Sequence, residues 1–437
     1  MFPGLSLLLP DTQPLPVYIM LAGSLLAFAA LLSVFYAQEY HTRIARFFIM
    51  KTENTFIRAL MLCLLNSMPK IVLMASLHRA SSIGIFSSVL SGSTQLSVAI
   101  TLAIILLSAK SNFVVHHMSF YKDIFFMEAS HLLLLIMLSN VSSSSFIPFM
   151  SLCVFAIFLT NTITIPSYIA QSQSSSISSR AFALDSAPHT AGRALMYPLR
   201  LVFDVLLLNH SRMPHEATKK KPYAAIFSPA INMMIALSYF GMHLEYAKIL
   251  ALMICALLFG SLLYVFTKKK ILSNVLHLYS LAAATTLFSV MMAGTCSMVQ
   301  HIAEVSGVGS QLLSGTLLSM FANIVEIVTC MHYARSGMPE MASCSVMYSP
   351  VFNSLLFLPL IKIALGRDTL HAGVQNISNA PFVYFSYVFI LAEVKVVFVN
   401  YLLRHQKLTR DLGYTLIVVY SLFIAGFAVE GKAHLCK

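Results

Sequence analysis

Two short polar segments interrupt otherwise apolar stretches of the chain, and both carry side chains that can bind a cation. Asn66 and Lys70 lie in the first segment, and Asn323 and Glu326 lie in the second. Amide and carboxylate oxygens are ligands that cations accept in proteins. An ionisable group inside a membrane span is costly and marks an ion pathway or a binding site by default. The two segments are therefore the first candidates for a cation site.

Two prolines inside predicted spans are expected to break their helices. Pro69 has no backbone N–H, so we expect a helix break at Met68–Pro69. The break would free backbone carbonyl groups next to Asn66, where they are useful cation ligands, and such irregular backbone is tolerated in a membrane where it lines a cavity. We predict a second helix break at Pro350.

The composition requires a membrane around these segments. Of the 437 residues, 58% are hydrophobic and 10% are charged, and the mean hydropathy is +0.80. A soluble domain has about 25% charged residues, so lipid must be the solvent for much of this chain. We expect an integral, multi-pass membrane protein with the lipid bilayer as its partner. The sequence does not identify the membrane or the oligomeric state.

The hydropathy pattern predicts an all-α fold, a bundle of about twelve transmembrane helices. Each apolar stretch has roughly the 20 residues that cross a bilayer. The predicted spans are 17–37, 55–76, 83–108, 124–140, 146–167, 224–241, 247–267, 271–297, 310–333, 343–365, 381–402 and 413–430.

Lys and Arg fall mainly in alternate connections between these spans. The odd-numbered loops carry most of the Lys and Arg residues, and the even-numbered loops carry only Arg79 and Arg367. The positive-inside rule then places the odd-numbered loops in the cytoplasm and accounts for the net charge of +12 without nucleic-acid binding. The second span starts in the cytoplasm and the ninth starts outside it. Related segments of opposite direction that meet near the midplane are how many secondary transporters build a site.

We divide the chain into three parts. Residues 17–167 form an N-terminal repeat bundle, residues 168–223 form a cytoplasmic loop, and residues 224–430 form a C-terminal repeat bundle. The loop is rich in serine and ends in the basic run 219–221. Residues 194–208 carry apolar side chains at mixed spacing, so we expect this segment to lie on the membrane surface.

The segment from position 313 to position 353 carries a set of residues that match a known family without a gap. They are Ala334, Arg335, Gly337, Pro339, Met341, Ala342, Cys344, Pro350, Phe352 and Asn353. With these residues, the segment resembles the second repeat of the cation/calcium exchanger superfamily, most closely the mitochondrial-type sodium/calcium/lithium exchangers. The first repeat of that family is similar around Asn66 and Pro69, and the resemblance extends more weakly over about residues 36–430. It implies two inverted-topology repeats, alternating access and cation antiport.

The resemblance also implies the site residues and the transported ions. The site would lie near the midplane between the second, third, ninth and tenth spans, with calcium, sodium or protons as cargo and no resident cofactor or metal. Lys70 stands where the family has an acid, so we interpret it as a charge modulator. The first choices for cation contact are Asn66 and Glu326, and the second choices are Asn323, Thr316 and Asn353.

Lys70 opposes the binding of calcium. An ammonium group about 4 Å from a dication costs roughly 8 kcal/mol at an effective dielectric constant near 20, which corresponds to more than about five powers of ten in affinity. Three interpretations of Lys70 are open. It is a tethered cation that pairs with Glu326 and replaces a coupling ion; it loses its proton and links transport to protons; or it reaches an interface or locks a site that no longer transports.

The sequence therefore predicts a multi-pass cation antiporter of the sodium/calcium exchanger type. An enzyme is not expected, because the chain has no phosphate-binding loop, zinc-protease motif or nucleophile elbow. Two alternatives are a degenerate pseudo-transporter that acts as a membrane interaction or regulatory protein, and a proton-coupled monovalent cation exchanger. Glu393 and Lys395 in the eleventh span do not share a helix face, so we expect a partner on another helix, or a cavity, for each.

Overall fold

The computed structural model describes residues 15–50, 54–79, 83–139, 146–169, 222–239, 252–261, 273–306, 308–364 and 381–435. Nearly all of these residues are helical. In hydrocarbon, backbone N–H and C=O groups must bond within the protein, and a helix satisfies them inside one segment. The expected all-α membrane fold is confirmed.

The described residues of the first half form long helices and one short strand. Their bounds are α1 Leu15–Tyr36, α2 Thr42–Ile49, α3 Thr55–Arg79, α4 Ile83–Leu96, α5 Leu102–Ser108, β1 Phe113–Val114, α6 His117–Ser139 and α7 Phe146–Ile169.

The described residues of the second half continue the same pattern. Their bounds are α8 Pro222–Tyr239, α9 Leu252–Ser261, α10 Ser273–Ser306, α11 Ser310–Leu313, α12 Ser319–Arg335, α13 Pro339–Val351, α14 Leu358–Ala364, α15 Pro381–Leu403, β2 Lys407–Leu408 and α16 Arg410–Leu435.

Seven helical stretches among the described residues are long and apolar enough to cross a membrane. Each of the predicted spans overlaps a described helix, while the number of twelve stays a prediction. The seven stretches are Met20–Ile49, Ser87–Ser108, Leu278–Ser306, Ser310–Arg335, Pro339–Leu360, Phe385–Leu403 and Arg410–Phe427, and the shorter apolar helices are Thr55–Met68, Ile147–Ile163 and Leu252–Ser261.

The chain divides into two compact units. The larger unit takes its described residues from Met1–Val34, Ile49–Phe182 and Met292–Lys437, and the smaller takes them from Phe35–Phe48 and Ala183–Met291. The larger unit therefore draws helices from both halves of the chain. The division into two repeat bundles stays a prediction, and residues 170–221, with nearly all of the predicted cytoplasmic loop, lie outside the described residues.

The smaller unit is held by polar and aromatic contacts. The hydroxyl groups of Ser228 and Tyr279 lie 2.8 Å apart, and Asn232 Nδ2 donates to the Tyr279 hydroxyl at 3.1 Å. The rings of Tyr36 and Phe288 stack with their centroids 5.4 Å apart. These contacts join α8 to α10 and the end of α1 to α10.

Four odd-numbered loops meet at one end of the larger unit. Phe113 and Leu408 pair in a two-stranded antiparallel sheet, which joins the third loop to the eleventh. Nearby, a cavity is lined by residues at the ends of the first, third and ninth loops. This grouping agrees with the alternation of basic charge along the chain, while the side of the membrane stays a prediction. The cavity residues include Thr55, Arg58, Lys110, Gly337 and Glu340.

Helical irregularity arises in π-helical turns. The α3 helix continues through Pro69 to Arg79, so the break predicted there is wrong. The α13 helix ends at Val351, one residue after Pro350, and the π4 turn follows, so the chain stays helical there while its hydrogen bonding changes. A proline removes one backbone hydrogen bond, and its neighbours in a membrane bundle can keep the helix continuous. The π-helical turns, which are frequent at functional sites, are π1 Ala37–His41, π2 Ser97–Thr101, π3 Ser314–Leu318 and π4 Phe352–Phe357.

The α4 helix packs directly against the π3 turn through two glycines. A Cβ atom added at Gly92 would lie 1.9 Å from the carbonyl oxygen of Gly315 and 2.6 Å from the Ser319 hydroxyl. No side chain larger than hydrogen fits this approach. The contact brings the polar face of α4 against α12.

Candidate functional site

The α3 and α12 helices run in opposite directions and bring the two polar segments together. Asn66 lies next to Thr329, and Lys70 lies next to Glu326. From the first contact to the second, the residue number rises by four on α3 and falls by three on α12, so the two helices are antiparallel. The predicted opposite direction of the two segments is confirmed.

A buried ion pair stands at the centre of this contact. Lys70 Nζ contacts Glu326 Oε2, and the side chain of each residue is 1% exposed. Removing two charges from water costs about as much as their attraction returns, so a buried pair is weak evidence for a stabilising role. Intramembrane charges of this kind point to function.

Two serine hydroxyls complete the surroundings of the Glu326 carboxylate. Ser97 Oγ on the π2 turn and Ser349 Oγ on α13 each donate to Glu326 Oε2 at 3.2 Å. Ser349 Oγ also lies 3.4 Å from Lys70 Nζ. Side chains from three helical segments, α3, π2 and α13, therefore converge on the carboxylate that α12 carries. The four segments belong to the second, third, ninth and tenth predicted spans.

Asn323 lies one turn before Glu326 and belongs to the same network. Its Oδ1 lies 3.2 Å from both Ser93 Oγ and Ser97 Oγ. Its Nδ2 donates to the carbonyl oxygens of Ser93 at 3.2 Å and Ser319 at 2.9 Å. Ser97 thus bridges the amide of Asn323 and the carboxylate of Glu326.

Asn66 reaches this network through Thr329 and not through Glu326 directly. The Thr329 hydroxyl lies 3.0 Å from Asn66 Oδ1 and 3.2 Å from the carbonyl oxygen of Glu326. Asn66 Nδ2 lies 3.8 Å from Cys330 Sγ. Asn66 is 1% exposed, so the protein encloses its oxygen next to the ion pair.

The two remaining predicted ligands are not seen in contact with the carboxylate. The Thr316 hydroxyl donates to the carbonyl oxygen of Leu312 at 2.6 Å, within its own helix. Asn353 is fully buried on the π4 turn, and neither its Oδ1 nor its Nδ2 has a hydrogen-bond partner among the described residues. Asn353 can therefore offer an oxygen, whereas the Thr316 hydroxyl is already engaged.

The charges of this site cancel in the arrangement described. Lys70 contributes one positive charge and Glu326 one negative charge, and the other nearby groups are hydroxyls, amides and the thiol of Cys330. Calcium prefers six to eight oxygen ligands that carry some negative charge. The arrangement is suited to a single positive charge on Glu326, which Lys70 supplies. Within the described part of the chain, no cluster of three or more His, Cys, Asp or Glu side chains is found.

Sequence reasoning missed the hydroxyl groups of the site. A signal existed in the third predicted span, where many buried hydroxyl residues lie in an apolar stretch. Small polar residues of this kind mark helix–helix contacts in membranes. The missed residues are Ser93, Ser97, Thr329 and Ser349, and the buried hydroxyl residues of that span are Ser87, Ser88, Ser91, Ser93, Thr94, Ser97 and Thr101.

Other ionisable groups in the larger unit lie outside this network. Lys395 Nζ pairs with Glu128 Oε1 across α15 and α6, and Gln95 Nε2 donates to Glu393 Oε1 at 3.3 Å across α4 and α15. The expectation that Glu393 and Lys395 find partners on other helices is confirmed. Lys122 Nζ lies 3.0 Å from Asp123 Oδ1.

Comparison with known proteins shows that part of this region is similar to a family. The profile of the sodium/calcium exchanger protein family matches residues 276–429, which include α12 and α13. The predicted resemblance to the cation/calcium exchanger superfamily is confirmed, while the mitochondrial-type branch stays a prediction. A search of curated proteins gives no match.

The chain is also similar to solved structures of two exchangers. The H+/Ca2+ exchanger CAX is 12% identical with a TM-score of 0.47, and the match covers 98% of this chain and 89% of that chain. The sodium-calcium exchanger NCX_Mj is 12% identical with a TM-score of 0.46, and the match covers 92% of this chain and 98% of that chain.

Proposed function

We propose that this chain, whose residues 276–429 match the sodium/calcium exchanger family, is a membrane cation antiporter that works by alternating access. The observation that supports the proposal best is the buried Glu326 carboxylate, which meets Lys70, Ser97 and Ser349 from three other helical segments. A carboxylate with hydroxyl oxygens beside it, shared by helices that can move against one another, is a site that can load and release a cation.

Lys70 acts in this proposal as a tethered cation. It occupies the place beside Glu326 that a transported cation takes, so cargo binds when the ammonium group moves aside. Cargo and Lys70 then compete for one negative charge. This competition favours a monovalent cation or a proton over calcium, since the repulsion between Lys70 and a dication at about 4 Å is roughly twice that for a monovalent ion.

The ligands of the cargo follow from the same contacts. Glu326 provides the charge, and Ser97 and Ser349 provide hydroxyl oxygens at the positions from which they now donate to Glu326. Asn323 orients Ser97 through its amide oxygen. Asn66 lies one turn away and contributes an amide oxygen where the Thr329 hydroxyl releases it.

The second candidate function is that of a pseudo-transporter, which keeps the fold but acts as a membrane interaction or regulatory protein. The neutral ion pair favours it, because Lys70 fills the carboxylate site completely in the arrangement described. In that case, the site has a structural role and moves no cation.

Cation flux through proteoliposomes separates the two functions. We expect purified wild-type protein to move at least one cation of a panel of sodium, potassium, lithium, calcium and protons, and we expect Glu326→Gln to abolish that flux. Glu128→Gln is the matched control, since Glu128 also pairs with a lysine but lies on α6, outside the site. Flux that survives Glu326→Gln contradicts the proposed site, and wild-type protein that moves no cation of the panel supports the pseudo-transporter.

A further inference from the structure

A second acidic side chain is buried in the larger unit, away from the ion pair. Glu393 is the thirteenth of the 23 residues of α15 and lies within the candidate span Phe385–Leu403. Its exposure is 0%. A carboxyl group at this depth in an apolar helix must be neutralised by a partner charge or by a proton.

Glu393 and Gln95 share one hydrogen bond, and each side chain also has an oxygen atom that lacks a partner in the described part of the chain. Gln95 Nε2 on α4 donates to Glu393 Oε1 at 3.3 Å. The other oxygen of each side chain, Glu393 Oε2 and Gln95 Oε1, is buried and has no hydrogen-bond partner among the described residues. Both of these atoms are acceptors when the acid is ionised, so the pair then has two buried acceptors and no donor for them.

The charged and titratable groups around Glu393 do not neutralise it. The α15 helix packs against α4, π2, α6, α16 and β2. The α16 helix presents the Tyr420 hydroxyl, and the α6 helix presents Glu128, which already pairs with Lys395. The α4 helix and the π2 turn face it with uncharged residues, and Lys407 of β2 is exposed and lies fourteen residues further along the chain.

Lys395 is close in sequence but is directed elsewhere. Two residues along a helix correspond to a rotation of about 200°, so Lys395 leaves α15 on a different face from Glu393. Its ammonium group contacts Glu128 Oε1 at 2.5 Å. Within the described residues, therefore, no cationic side chain forms an ion pair with Glu393.

We propose that Glu393 is a proton-binding site, in which the protonated acid donates from Oε2 to Gln95 Oε1. The proton turns one of the two buried acceptors into a donor. Acid and amide then exchange two hydrogen bonds, because Gln95 Nε2 already donates to Glu393 Oε1. This site is separate from the Lys70–Glu326 pair and does not rest on the proposed transport function.

Infrared difference spectroscopy of the reconstituted protein tests this proposal directly. The carbonyl stretch of a protonated carboxyl group is resolved from that of a carboxylate. We expect wild-type protein near neutral pH to show a protonated-carboxyl band that is lost in Glu393→Gln. Glu128→Gln is the matched control, and we expect it to keep the band. A wild-type spectrum without a band assignable to Glu393 at neutral pH overturns the proposal.

A second variant tests the role of the amide and guards against a folding defect. In Gln95→Leu the carbonyl of Glu393 loses its donor, so we expect the band to remain and move to higher frequency. A band that is present but unchanged in Gln95→Leu overturns the acid–amide pair. Glu393→Gln can replace both hydrogen bonds of the protonated acid, so we expect it to unfold at the wild-type temperature. A clear loss of stability in Glu393→Gln contradicts a neutral acid at this position.

Discussion

Replacing Lys70 with methionine separates the charge of this residue from its size. Lys70→Met removes the ammonium group that contacts Glu326 and keeps a long, unbranched side chain. The Glu326 side chain is 1% exposed, so it becomes a buried carboxylate without its partner. Breaking a buried ion pair costs about 3–5 kcal/mol. The variant should therefore unfold at a lower temperature than the wild-type protein when cations are scarce.

The same change removes the repulsion that opposes cation binding. For a dication about 4 Å from the ammonium group, this repulsion is roughly 8 kcal/mol at an effective dielectric constant near 20. Lys70→Met should thus gain affinity for cations, and a bound cation should restore its stability. A cation at 100 times its dissociation constant returns about 2.7 kcal/mol. Lys70→Asp adds a second carboxylate and should create or strengthen calcium binding and transport.

Thermal unfolding of the purified protein in detergent, with and without sodium, lithium and calcium, measures both effects. We expect the melting temperature of Lys70→Met to be low without cations and to rise with at least one of them. Lys395→Met is the matched control, since Lys395 also pairs with a glutamate but is 60% exposed and lies on α15. It should show no rise with any of these cations. If Lys70→Met is as stable as the wild-type protein and no cation affects it, Lys70 does not neutralise a cation-binding carboxylate.

Two further predictions test the packing and the ligands. Gly92→Ala places a Cβ atom 1.9 Å from the carbonyl oxygen of Gly315 on the facing π3 turn. We expect this variant to lower the free energy of unfolding by at least about 1–3 kcal/mol. The control is Gly294→Ala, whose added Cβ meets no neighbouring atom within 4 Å and which should be neutral or stabilising in the same melting assay. Ser97→Ala removes a hydroxyl 3.2 Å from Glu326 Oε2, and a hydrogen bond to a charged group contributes about 1.5–3 kcal/mol. Cation affinity, measured from ligand-dependent melting, should fall by about tenfold to a hundredfold; Ser130→Ala, whose hydroxyl donates to a carbonyl of its own helix, should leave it unchanged.

The ion pair could be predicted from the sequence because charged residues are rare in spans. Lys70 and Glu326 stand out against apolar neighbours, and the alternation of basic loops gave their helices opposite directions. The pairing of Asn66 with Thr329 and of Lys70 with Glu326 agrees with both inferences. Strong, isolated signals of this kind survive the uncertainty in helix boundaries.

The serine ligands could not be selected from the sequence. Most hydroxyl groups in membrane helices bond to a carbonyl oxygen of their own helix, as Thr162 does with Phe158 and Ser289 with Thr285. Ser97 and Ser93 instead bond across to Asn323 on α12, although Ser97 begins a π-helical turn and Ser93 lies in regular α-helix. No sequence pattern distinguishes a serine that bonds within its helix from one that bonds to the next.

For Pro69 the sequence signal was clear but the prediction was wrong, because the surrounding helices keep α3 continuous. Pro69 lacks a backbone donor, yet α3 is helical on both sides of it. A break costs several backbone hydrogen bonds in a membrane, whereas a continuous helix through proline loses only one. The irregular backbone lies instead in the π-helical turns, and one of them, π2, begins at the site residue Ser97.

One helix connects two of the buried acids of the larger unit, Glu326 and Glu393. Ser93 on α4 and Ser97 on the π2 turn contact Asn323, and Ser97 also contacts Glu326. Gln95 lies about 200° around the helix from each of these serines. It therefore faces the other way and contacts Glu393. A movement of α4 that separates the serine hydroxyls from α12 also shifts Gln95 relative to α15, unless α15 moves together with α4. Proton binding at Glu393 would then change the affinity of the cation site without any contact between them, and cation binding would change proton affinity by the same factor.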